Sequence, residues 1–89
     1  MGQPENQGAL HEATFSMLLM SIASGAAMAL GLAPNPQTQK TEIDRAMAKF
    51  NIDLLLVLQS KTKTNLSDDE SKLLSSLLND LQMKFLQIK

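Results

Sequence analysis

Three stretches of this chain carry apolar side chains at helical spacing, and each is bounded by its own start and stop signals. In the second stretch Ile43, Met47, Phe50, Leu54 and Val57 step by four, three, four and three residues. In the third, Leu74, Leu78, Leu81, Phe85 and Ile88 repeat the same steps. The pattern predicts an all-α protein of three helices at about residues 10–31, 41–61 and 67–88, the last two forming an antiparallel hairpin. Gly31 followed by Pro34 and Pro36 supplies the first stop, because glycine accepts the left-handed C′ conformation and proline cannot continue a helix. Asn35-Pro36 reads as a turn. Thr41 with Asp44 reads as the second start, and Ser67 with Glu70 as a capping box for the third. Asp68 to Lys72 and Asp80 to Lys84 are i,i+4 pairs. Residues 1–9 are polar and read as a flexible tail, leaving residues 10–89 as a single helical domain.

The apolar pattern is wider than a three-helix protein needs. A surface helix shows one apolar stripe and turns its other face to water. In the first helix Phe15, Met17, Leu18, Leu19, Met20, Ile22 and Leu30 point in all directions. In the second, Ile52, Leu55, Leu56 and Leu58 add an apolar face beside the stripe, and in the third Leu73 and Leu77 widen it. Monomers rarely expose patches of that kind. The surplus predicts packing into a homo-oligomeric helical bundle, with Phe15, Leu18, Leu19, Ile22, Gly25, Ala29, Leu55 and Leu58 at the shared surface.

Charge leaves a competing reading open. The net charge is −1, from eight basic and nine acidic side chains, which argues against an electrostatic grip on nucleic acid. Between Ala13 and Gln39 there is no ionisable side chain at all. Residues 14–33 are thus long enough to cross a bilayer, and their small residues, Ser21, Gly25 and Ala29 or Ala23, Ala27 and Gly31, could line a membrane helix contact. The same ridges serve close helix packing within an oligomer. The segment lacks flanking Trp or Tyr anchors, and its serines and glycines weaken insertion. Self-association is therefore the leading expectation and a membrane-associated protein with residues 14–33 inserted the alternative.

Candidate chemistry is sparse. There is no cysteine, His11 is the only histidine, and Phe15, Phe50 and Phe85 are the only aromatics. No metal, cofactor or catalytic constellation is expected from that inventory, and the protein reads as non-enzymatic. Asp53, within the most apolar stretch, reads as a solvated partner of Lys49. Met17, Met20, Met28 and Met47 read as gap-fillers of a core or an oligomer seam. The polar segment from Lys61 to Glu70 reads chiefly as helix punctuation, with Lys61, Lys63 and Asn65 as a candidate recognition loop for an unknown protein partner.

Four pieces carry a family resemblance: Leu30-Gly31 with Pro34-Asn35-Pro36; Ala48-Lys49 with Ile52-Asp53-Leu54-Leu55; Lys61 through Ser67; and Leu73-Leu74 with Leu77, Asp80-Leu81 and Phe85. In that order and spacing, from about Thr14 to Phe85, the chain resembles the bacterial family called domain of unknown function 1844. The resemblance implies a short cytoplasmic helical protein without an assigned activity. Thr64 stands where it implies glycine, and Gln82 where it implies a basic residue.

Overall fold

The structure is a computed structural model and describes residues 12–88. The expected tail, His11 and Leu10 lie outside those residues. Three helices follow one another: α1 (Phe15–Ala29), α2 (Arg45–Lys61) and α3 (Asp68–Gln87). No strand is present among the described residues beyond an isolated bridge between Leu30 and Ile43.

Each helix begins where a side chain satisfies its free amides. The first starts at Phe15 rather than near residue 10, because the Thr14 hydroxyl accepts from the Met17 amide at 3.1 Å. It stops in a Schellman motif. The Gly31 amide donates to Met28 O and the Leu32 amide to Ala27 O, with Gly31 at φ +78°. The ordered helix is therefore two residues shorter at this end than expected, with Gly31 at C′ as its chemistry demands. The Asn35 turn also forms, its side-chain Oδ1 accepting from the Gln37 amide at 2.8 Å.

The start of α2 departs from expectation by a turn. Asp44, not Thr41, is the cap, its carboxylate accepting from the Met47 amide at 3.1 Å. The tertiary fold sets this. Ile43 is held extended in its bridge to Leu30, and the Asp44 amide donates to Ala29 O at 2.8 Å, so the chain cannot coil earlier. The third start is as expected: Glu70 N donates to Ser67 Oγ and Ser67 N to Glu70 Oε1, completing a capping box. Thr64 does not need glycine's freedom, since Gln39 is the only described non-glycine residue with positive φ.

Leu19, Ala23, Ala26, Ala29 and Leu30 meet Ala48, Ile52 and Leu55 of α2 and Leu74, Leu78 and Leu81 of α3 in one core. The α1–α2 interface is the most extensive of the three: the buried Ala23, Ala26 and Ala29 of α1 and Ala48 of α2 let the two helices approach closely. A Cβ added at Gly25 would lie 3.2 Å from the Asn51 Oδ1. The small residues of α1 are thus used inside the protomer. Helix α3 runs antiparallel to α2: Arg45 reaches Phe85 and Ile88 near the far end of α3, while Gln59 and Thr62 face Ser71 and Leu74 near its start. The Arg45 guanidinium stands 5.0 Å from the Phe85 ring centroid and donates to Ile88 O, which ties the two ends together.

Candidate interaction surface

Helix α2 carries two apolar faces, and only one is used by the fold. Ala48, Ile52 and Leu55 point into the core. The stripe read from the sequence as the helix seam lies on the opposite side. Phe50 is 56% exposed, Val57 52% and Met47 47%, with Leu54 half-buried between them and Ile43 exposed at the N-terminal end. From Met47 to Val57 the row covers ten residues, roughly 15 Å of helix. It carries no ionisable side chain. Lys49 and Asp53 sit on another side of the helix, joined at 2.8 Å, and line a groove of about 390 Å³ with Gln82, Phe85 and Leu86 of α3.

Several expected interface residues are not available to a partner. Leu19, Ala29 and Leu55 are buried inside the protomer, so their assignment to a shared surface is corrected: α1 and α2 cover them for each other. Phe15, Ile22 and Leu58 are half-buried against the same core, and Gly25 sits at the α1–α2 crossing. Leu18 alone of that set is exposed. The surface row of Ile43, Met47, Phe50 and Val57 was legible as a helical stripe, but its direction was not. The sequence offered a hint in Ala48, whose small side chain begins the stripe that can approach the alanine face of α1 most closely.

The polar residues are occupied by structural tasks. Asp53 pairs with Lys49 and Asp80 with Lys84, both as exposed i,i+4 pairs, while Asp68 and Lys72 form no ion pair. Asp44 and Glu70 serve as caps. Lys61, Lys63 and Asn65 are exposed around the α2–α3 turn, where the Asn65 amide donates to Thr62 O and Thr62 Oγ1 donates to Leu58 O at 2.6 Å. Met17, Met20 and Met47 face outward instead of filling the core. Among the described residues no three His, Asp or Glu side chains gather into a set that could hold a metal. None of the described helices is long and apolar enough to cross a membrane. The charge-free stretch is interrupted after 15 helical residues, and its alanine face is covered by α2.

Fold and surface together define a small three-helix protein with an unpartnered apolar face on its central helix. It belongs to the family described as Domain of unknown function (DUF1844), which it matches over residues 12–87. No curated protein and no solved structure matches the chain.

Proposed function

We propose that this protein is a non-enzymatic interaction module that associates with itself through the outward face of α2, with the cytoplasm as its expected compartment. The observation that carries the reading is the uncharged row of Met47, Phe50, Leu54 and Val57, left in contact with water by a fold that has already closed its core. The polar side chains support it too, since the carboxylates Asp44, Asp53, Glu70 and Asp80 are engaged in caps and local pairs.

The strength expected of the contact follows from the area available. Fully burying such a side chain is worth about 1.5–3 kcal/mol, and these are already about half covered, so eight of them from two copies yield roughly 6–12 kcal/mol. Association costs on the order of 4–15 kcal/mol. At the favourable ends of the two ranges a surplus of about 8 kcal/mol is left, which corresponds to a reversible complex formed at micromolar concentration. Light scattering at tens to hundreds of micromolar should give a mass approaching twice the 9.7 kDa of the chain. Phe50→Asp should return it to monomer while leaving helicity unchanged, because Phe50 lies outside the core. A wild-type mass of one chain throughout that range would refute the reading.

A further inference from the structure

We propose that two copies meet α2 against α2 in antiparallel orientation, about a two-fold axis level with residue 52. This rests on the self-association reading and specifies its geometry. The stripe is self-complementary in only one register that uses all of it. Pairing position i with 104 − i sets Met47 opposite Val57 of the other copy and Phe50 opposite Leu54, so all four members are covered twice over. Sliding one copy by a heptad keeps only two of the four opposite each other within α2, because the other two then fall level with positions 43 and 40, before the helix starts, or with 61 and 64 at its end. Antiparallel helices with a four–three repeat mate in this alternating manner.

Charge selects the direction. Lys61 continues the stripe four residues beyond Val57 and is exposed. Glu42 and Asp44 are exposed at the opposite end. In the antiparallel register Lys61 of each copy lies just beyond the N-terminus of the other copy's α2, the end that carries Glu42 and Asp44. Each end of the interface then has opposite charges facing each other, and the helix dipoles oppose as well. A parallel pairing would place Lys61 against Lys61 and Asp44 against Asp44. The stripe between the ends is uncharged, so nothing repels within it.

The absence of cysteine makes the geometry directly testable. Met47→Cys and Val57→Cys replace exposed side chains, and each variant is prepared alone and then mixed. A disulfide needs Cα atoms within about 7 Å. In the proposed register position 47 of one copy is level with position 57 of the other. Two copies of position 47, by contrast, are offset by ten residues, roughly 15 Å. Under mild oxidation the mixture should give the mixed disulfide dimer, and neither variant alone should cross-link. Cross-linking of either single variant with itself, in a wild-type protein that light scattering shows to be dimeric, would overturn the antiparallel register while leaving self-association standing. A monomeric wild type would overturn both. Lys61→Glu should weaken the dimer roughly tenfold at low ionic strength and less in high salt, with recovery in the Glu42→Lys, Lys61→Glu double variant. An unchanged Kd would overturn the charge-matched ends.

Discussion

Gly31 is the residue on which the entry to the second half of the chain turns. Its φ of +78° is a conformation that costs an L side chain about 1–2 kcal/mol. An added Cβ would also come within 2.9 Å of Ile43 Cγ1, the residue whose bridge to Leu30 delays the start of α2. Gly31→Ala should therefore lower stability by roughly 1–3 kcal/mol, combining αL strain with the displaced contact. Thermal unfolding followed by circular dichroism would show it. Gly25 is a different case. It lies in a helix interior against Asn51, so a bulky replacement there strains the α1–α2 contact of the protomer and reports on folding before it reports on assembly. Single-residue signals of this type were legible where the chemistry is local. Glycine at C′, asparagine before proline and the Ser67–Glu70 box each acted as the sequence implied, because each needs only its near neighbours.

At the level of elements, α3 and α2 illustrate two outcomes of the same pattern. Both carry a four–three–four–three stripe. In α3 the stripe is the buried one, with Leu74, Leu78 and Leu81 in the core and a capping box at its start. Ser67→Ala should cost about 1 kcal/mol, within a range of roughly 0.5–2, by freeing the Glu70 amide. Glu70→Ala should lose part of the same amount, and chemical denaturation of both variants measures the coupling between them. In α2 the stripe faces out, and the neighbouring set of Ala48, Ile52 and Leu55 faces in. A helix with two apolar faces leaves periodicity without a unique solution. The tie was broken by fit: Ala48 and the alanine face of α1 allow close approach, whereas Phe50 and Met47 would hold the helices apart.

For the whole molecule, the separation of core from stripe predicts a separation of phenotypes. Leu55 is fully buried, and Leu55→Ala should cost about 2–5 kcal/mol. That is a large fraction of the total of 5–15 kcal/mol usual for a domain, so the variant should unfold at markedly lower denaturant concentration. Phe50→Asp should instead leave the protomer folded and change only its mass in solution. Equal destabilisation by both would place Phe50 in the folding core and contradict the surface described here. The same closure explains why a charge-free run as long as residues 14–33 does not make a spanning helix. The Schellman motif ends α1 after Ala29, and the chain turns back to pair Leu30 with Ile43.

The number of helices, the end of α1 at Gly31, the cap of α3 at Ser67 and the excess of apolar surface all follow from the sequence, because they depend on spacing and on bonds between residues a few positions apart. Which apolar face becomes core depends on how closely two distant segments can approach, a property of side-chain volumes on both partners. Only the tertiary structure therefore placed Leu19, Ala29 and Leu55 inside the protomer and moved the start of α2 from Thr41 to Asp44. The unsatisfied apolar surface persists from sequence to structure. Folding left an uncharged row of it on the outer face of α2, because the inner face was the one that fitted α1.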